Sequence, residues 1–523
     1  MGDSGYPSAF RTALRGHATF RFITLLLGFG FQIIVVKVLS PENYATYAIL
    51  LATLLVGERL LSFGIDRTLL RFVPALLLRE DRRGLRFLAK RLGMLRAIGL
   101  VLFLLACTAS SALHLRVTPT ALDSNTTIGF VVWFIAYTLI KDSEAVAQSL
   151  IAHHWAALIA ACEAFVRLGS LTLIYLSFRS VDVGTLVILY AATSSAGTVA
   201  LWWCVWRSGH RRPIPSPSTL PSEPDVVVDV RRQALTFGIA AYASTLSYLI
   251  SSPGIIRLVA RTGLAINALA AFSFVQGIST SLSSGLPGQL ILPSLESIAA
   301  KMTDSGSGER VFPALSVLFK IELTFMLAIV LATVIGGPDL IRILSRPAYA
   351  PYYYVLPILF IGLSLQTIYR VLEILGSVNL KNRIFLSLWP LSVVAMAALY
   401  FTVGTWGLIS VLVVPIAEIA TRVAILTVAF RQYGIWKVLD PVRSLRLVAS
   451  AAALLLGLSY ALVAYRGSLG DVRLLVAVGG VIVFLSTLLL IRPLSVLECE
   501  TLSRVLPASW TFPRYVARRL SRA

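Results

Sequence analysis

The chain has 523 residues, of which 57% are hydrophobic and 14% charged, and its mean hydropathy is +0.82. These values exclude an ordinary soluble domain, and the continuous rather than alternating apolar runs exclude a membrane β-barrel. The formal net charge of +21 fits Arg-rich cytoplasmic loops that orient helices and meet anionic lipid, and it does not call for nucleic acid.

Spanning about 30 Å of hydrocarbon takes about 20 helical residues, and a window of about 19 residues predicts about fourteen transmembrane helices. The first is Ala18–Leu39, apolar except for Arg21, Gln32 and Lys37. Arg11 and Arg15 precede it and no small-x-small cleavage site follows, so this helix is expected to stay in place. After the turn Ser40-Pro41-Glu42-Asn43-Tyr44, the second begins near Ala45. It runs past Glu58-Arg59 and Gly64-Ile65-Asp66-Arg67 to Arg71-Phe72-Val73-Pro74.

Leu77–Arg96 is basic and amphipathic, as a cytoplasmic surface helix would be. Helices three to six follow at Leu95–Leu113, Ile128–Ile151, Trp155–Phe178 and Gly184–Trp206. The proline-dense stretch within Arg207–Asp229 reads as a linker between two lobes. Beyond it come Ala234–Ile256, Leu264–Pro293, Phe312–Ile335, Tyr353–Ile374, Ile384–Val403 and Gly407–Phe430, then Leu447–Tyr465 and Leu474–Ile491. The expected organisation is an all-α polytopic protein with an N-terminal lobe (1–206), a cytoplasmic linker (207–232), a C-terminal lobe (233–430), two additional helices (431–491) and a basic tail (492–523). With both termini inside, alternate loops carry about 27 Lys and Arg on the cytoplasmic side against about 7 outside. The ends Leu70–Leu76 and Leu290–Leu295 of two long second helices suggest a parallel repeat of two bundles around a central cavity.

Ionisable groups in hydrocarbon cost several kcal/mol unless they face protein or water. This chain places Glu58-Arg59, Lys141-Asp142, Glu144, Glu163, Arg167, Lys320, Glu322, Arg370, Glu373, Glu418 and Arg422 within predicted helices. Glu163/Arg167 and Glu418/Arg422 are spaced i,i+4 and Arg370/Glu373 i,i+3, so each pair can neutralise itself on one helix face as structural glue. Glu58 and Arg59 point about 100° apart and cannot be settled by one local contact.

Arg21, Gly28 and Gln32 share one face; Glu58, Ser62 and Asp66 share another; Gln276, Thr280 and Ser283 align on a third, and Tyr242, Thr245 and Ser252 are offered by the helix before it. They predict a polar, partly cationic cavity. Its candidate substrate contacts are Arg21, Gln32, Glu58, Arg59, Lys141, Gln276 and Thr280. Glu58, Asp66 and Asp142 are candidates for binding a coupling proton or Na⁺. Arg and Lys in a low-dielectric chamber attract anions, so a diphosphate carrying sugars and a lipid tail fits such a site.

Catalysis is the weaker expectation: five histidines, short outside loops, and no H-E-x-x-H, P-loop, G-x-S-x-G or spaced Cys/His set. Cys107, Cys162, Cys204 and Cys499 show no paired spacing and read as small core residues, so neither a disulfide framework nor a metal site is expected, and no cofactor.

The opening GFGFQIIVVKVLSPENYATYAILLA, with Gly64-Ile65 and Arg71-Phe72-Val73-Pro74 behind it, resembles polysaccharide flippases of the multidrug/oligosaccharidyl-lipid/polysaccharide (MOP) exporter superfamily. The segment ILSRPAYAPYYYVLPILFIGLSLQTIYRVLEILGSVNLKNR and GTWGLISV, with Gly404 and Gly407, extend that resemblance over nearly the whole chain. It implies two six-helix lobes around a central cavity, two additional C-terminal helices, and alternating-access transfer of undecaprenyl-diphosphate-linked oligosaccharide. The cargo would be an O-antigen, capsule or exopolysaccharide repeat unit, moved across a bacterial cytoplasmic membrane. In such relatives cavity bases engage the diphosphate; Arg21, Arg59 and Lys141 are the positional candidates, without a motif match. Implied partners are the lipid-linked oligosaccharide, membrane lipids and a polysaccharide polymerase with its export machinery, with no nucleic acid. A cation-coupled multidrug exporter of the same superfamily stays open, as does, less strongly, a membrane glycan-modifying enzyme.

Overall fold

The computed structural model describes residues 6–78, 81–112, 122–149, 153–178, 181–211, 252–284, 286, 311–378, 383–464, 473–491, 493–495 and 498, with 237–239, 242, 245, 246 and 249. All regular structure among them is helical. In chain order the helices are α1 (Tyr6–Val38), α2 (Pro41–Leu60), α3 (Ile65–Leu78), α4 (Arg82–Ala112), α5 (Ser124–Ser149), α6 (His153–Phe178) and α7 (Val183–Arg211). They continue as α8 (Pro253–Ala260), α9 (Ile266–Ser284), α10 (Val311–Leu344), α11 (Val355–Val378), α12 (Arg383–Leu386), α13 (Trp389–Trp406), α14 (Leu408–Ala429), α15 (Ile435–Leu439), α16 (Pro441–Ala464) and α17 (Arg473–Ile491). Among the described residues eight helices are long and apolar enough to cross a membrane.

Local chemistry explains the boundaries. Ser40 accepts a hydrogen bond from the Asn43 amide at 3.2 Å, and Pro41 occupies the first turn of α2, where a missing N–H costs nothing. Ser252 and Pro253 start α8 in the same way. Gly407, at φ 55°, separates α13 from α14.

Several predicted boundaries are redrawn. The second helix is broken: α2 stops at Leu60 and α3 starts at Ile65, because Phe63 and Gly64 take positive φ values of 47° and 71°. The amphipathic run and the third helix are one element, α4, since nothing between Arg82 and Ala112 interrupts the backbone ladder. Residues Pro253–Ala260 form their own short helix, α8, where the sequence suggested the end of the seventh helix. The predicted linker falls largely outside the described residues, as do residues 287–293 of the eighth helix.

Two compact units are distinct, Met1–Ser273 and Phe274–Ala523, so the division lies within α9. In the first unit α5 packs along α7, α1 along α6, and α2 on α8. Gly129 lets α5 approach α7, for a Cβ there would lie 3.2 Å from Val187. The centre is aromatic: Trp133 stacks on Tyr190 with ring centroids 4.5 Å apart, and Phe103 stacks on Phe134. The amphipathic α3 buries Ile65, Leu69, Phe72, Val73 and Leu76 with Leu88 of α4 and Ala145 of α5.

In the second unit α10 is the axis. It packs on α11, α16 and α17, while α11 and α13 pack on α14. Ala328, Leu331 and Ile335 of α10 form one cluster with Ala451 of α16 and Ala477 and Phe484 of α17, so the two C-terminal helices are joined to α10 through apolar surface. Cys162 is exposed, not the core residue expected, because α6 turns that side outward with Phe165 and Val166; Cys204 is half-buried.

Gly64 gives a direct test of the break. A Cβ there would lie 2.6 Å from the Gly238 carbonyl oxygen in a backbone conformation that L side chains avoid. Gly28 has open space. Gly64→Ala is expected to cost about 1–3 kcal/mol from φ alone, with the clash in addition. Gly28→Ala is expected to be neutral or slightly stabilising. Thermal unfolding of the purified protein in detergent measures both, and equal melting temperatures for the two variants would refute the broken helix.

Candidate functional site

The densest group of charges lies in the first unit, where α2, α3, α4 and α5 meet. Arg96, only 4% exposed, is its centre. Its Nε donates to Asp142 Oδ2 at 2.8 Å and its Nη2 to Asp142 Oδ1 at 2.5 Å, the bidentate geometry in which guanidinium and carboxylate match best. Its Nη1 donates to the Leu61 carbonyl at 3.0 Å. Asp66 Oδ1 stands 4.0 Å from Nη2, buried and with no hydrogen-bond partner among the described residues. Next to Asp142 on α5, Lys141 Nζ donates to Glu144 at 2.7 Å and sits 5.5 Å from the centre of the Tyr137 ring. Glu58 is 7% exposed and within electrostatic range of Lys141, Arg96 and Asp142.

Among the described side chains, four acids, Glu58, Asp66, Asp142 and Glu144, thus gather around two bases, Arg96 and Lys141, with exposed Arg59 also within electrostatic range of Glu58. The cluster has an excess of carboxylate rather than of cation. The 20 residues of α2 run about 30 Å, and the break follows at its C-terminal end, after Leu60.

The other expected contacts are placed separately. Arg21 is exposed on α1 and Gln32 is half-buried on the same helix. Arg59 is exposed, turned away from buried Glu58 as the 100° step requires. Gln276 and Thr280 belong to the second unit; Gln276 is buried, whereas Thr280 is exposed and returns its hydroxyl to the Gln276 carbonyl at 2.8 Å. Of the sequence-derived candidates, Glu58, Asp66, Lys141 and Asp142 are brought together. Arg96 was missed. It sits in a run of bases that suits a surface helix, and its partner lies 46 positions on.

Two pairs foreseen from spacing form as stated. Arg167 donates to Glu163 at 2.5 Å, to Thr193 at 2.8 Å and to Ser194 at 2.9 Å, and its guanidinium covers the Tyr190 ring, 4.6 Å from the centre. Tyr190 in turn shares a 2.9 Å hydrogen bond with Tyr47. Arg422 binds Glu418 and Ser392, all three buried, which joins α14 to α13. These groups hold helices together.

Lys320 of α10 is also structural. Its ammonium meets Asp440 at 2.7 Å and Glu498 at 2.8 Å, tying the entry to α16 and the segment after α17 to the same point. Burial pushes the Glu498 carboxyl up, but hydrogen bonds from Lys320 and the Ser495 amide outweigh it and leave it below the usual range. A carboxyl depressed on folding stabilises the protein above its unfolded value and loses that contribution as pH falls through its folded value. Glu498→Gln is therefore expected to lower the melting temperature at pH 7. The difference from the wild type should shrink steadily below about pH 4.5, as the native carboxyl protonates. A gap independent of pH would show that Glu498 acts by shape alone.

No family model matches the sequence, and no curated protein matches it. Solved structures do. The lipid II flippase MurJ in an inward closed conformation superposes with a TM-score of 0.61 at 10% identity, covering 90% of this chain and 98% of its own. An inward-facing multidrug resistance MATE family transporter of the MOP superfamily gives 0.59 at 16% identity, covering 79% and 97%. A MOP superfamily transporter from Pyrococcus furiosus gives 0.54 at 14%, covering 82% and 96%. The chain is a multi-pass membrane protein with the fold of MOP superfamily transporters.

Proposed function

We propose that the protein is a transporter that flips undecaprenyl-diphosphate-linked oligosaccharide from the inner to the outer leaflet of a bacterial cytoplasmic membrane by alternating access, with both termini on the cytoplasmic side. The observation that carries the proposal is the joining of α16 and α17 to α10. The two C-terminal helices join α10 through apolar surface, and the lipid II flippase covers 90% of this chain against 79% for the multidrug transporter. Arg21 and Arg59 are exposed bases on the first two helices, available to a diphosphate, whereas Lys141 is already met by Glu144.

Cation-coupled multidrug export is the second possibility. The carboxylate excess around Arg96 favours it, because surplus acids can take up a proton or Na⁺.

Reconstitution in liposomes separates the two. With a labelled lipid-diphosphate oligosaccharide, the protein is expected to accelerate leaflet transfer, and Arg59→Ala to lower the rate about tenfold at unchanged protein level, the loss of one charge-assisted contact. Ethidium efflux driven by a proton or Na⁺ gradient, with no acceleration of lipid transfer, would establish the exporter instead. Normal transfer by Arg59→Ala would assign that residue to structure.

A further inference from the structure

The junction of α2 and α3 replaces backbone hydrogen bonds by side-chain ones. In a continuous helix the Leu60 and Leu61 carbonyls would accept from the Gly64 and Ile65 amides. Here the Ile65 amide donates to Ser62 instead. Tyr242 Oη donates to the Leu60 carbonyl at 2.6 Å and Arg96 Nη1 to the Leu61 carbonyl at 3.0 Å. Both side chains come from outside the broken helix, so the open ends are held from a distance.

The backbone between these bonds is strained. Phe63, an aromatic residue, has φ 47°, a region that non-glycine residues avoid. That strain vanishes if residues 61–64 return to helical values and α2 runs on into α3. Against this stands Arg96, whose remaining donors are fixed on Asp142 of α5. The charged groups facing it are Glu58 from α2, Asp66 from α3 and Asp142 with Lys141 from α5.

We propose that residues 61–64 are a two-state hinge in the first unit, and that Arg96, anchored by Asp142, is the positioning residue that holds the bent state. Bending seats α3 against α4 and α5 through Val73 and its neighbours. Straightening lifts that face away. The hinge concerns one unit and requires no particular cargo, so it stands or falls separately from the transport assay.

The test is thiol labelling of the full-length protein in native membrane vesicles. The four cysteines are replaced by serine, and Val73→Cys, at a position 8% exposed, reports on the α3 face. Leu186→Cys, fully buried on α7, reports on general loosening. Arg96→Ala and Asp142→Asn are each expected to raise maleimide labelling at position 73 at least fivefold and to leave position 186 protected. Adding Phe63→Gly, which removes the strain that drives straightening, should return labelling at 73 to within twofold of the starting rate. If Arg96→Ala does not accumulate in the membrane, Asp142→Asn carries the comparison. Unchanged labelling at 73, a matching rise at 186, or a rise indifferent to Phe63→Gly would each overturn the hinge.

Discussion

An ionised side chain in hydrocarbon must be met by opposite charge or by backbone dipoles, and this requirement governs where helices of this protein touch. Losing one partner of a buried pair typically costs about 3–5 kcal/mol, because the other is left uncompensated. Arg96 with Asp142, Arg167 with Glu163, Arg422 with Glu418, and Lys320 with Glu498 all meet it. Each sits where its helix packs on a neighbour: α4 on α5, α6 on α7, α14 on α13, α10 on the segment after α17. Apolar contacts between transmembrane helices gain little over contacts with lipid tails. Such pairs therefore select one packing among many that apolar surface alone would allow.

The four pairs differ in what surrounds them. Arg422 with Glu418 and Ser392, and Lys320 with Asp440 and Glu498, form two compact networks; Thr193 and Ser194 also accept from Arg167, while Glu163 Oε1 is left buried without a hydrogen bond. Around Arg96 charge is left over. Asp66 has a buried oxygen without a hydrogen bond, and Glu58 lies close by. A shell with surplus acid changes its energy when a cation or proton arrives, and this one is located at a broken helix.

Much of the framework was legible in the sequence because its signals are local. Ser40-Pro41 marks a chain reversal in the sequence, although the helix starts at Pro41 itself, with Ser40 as acceptor, and not near Ala45 after a turn. The i,i+4 acid–base pairs follow from helical geometry alone. Long apolar runs located most helices to within a few residues. What stayed hidden is long-range or conformational. Nothing local marks Arg96 as the partner of a residue 46 positions away, or Lys320 as the partner of one 178 away. The break at Phe63-Gly64 was hidden for another reason: glycine inside a membrane helix is common enough to be passed over.

The break also sets the surroundings of the adjacent charges before it. Glu58-Arg59 lies in the last turn of α2, directly before the break. Buried Glu58 then faces the carboxylate-rich cluster, and exposed Arg59 faces away from it. Two adjacent residues serve opposite surroundings because a helix turns 100° per step. If diphosphate meets a base here, that base is one of the exposed ones, Arg59 or Arg21, whereas Arg96 is already occupied with Asp142 and the Leu61 carbonyl. On the proposed function, attraction of an anion and control of the helix break fall to different faces of the same short stretch, and a substitution at one need not disturb the other.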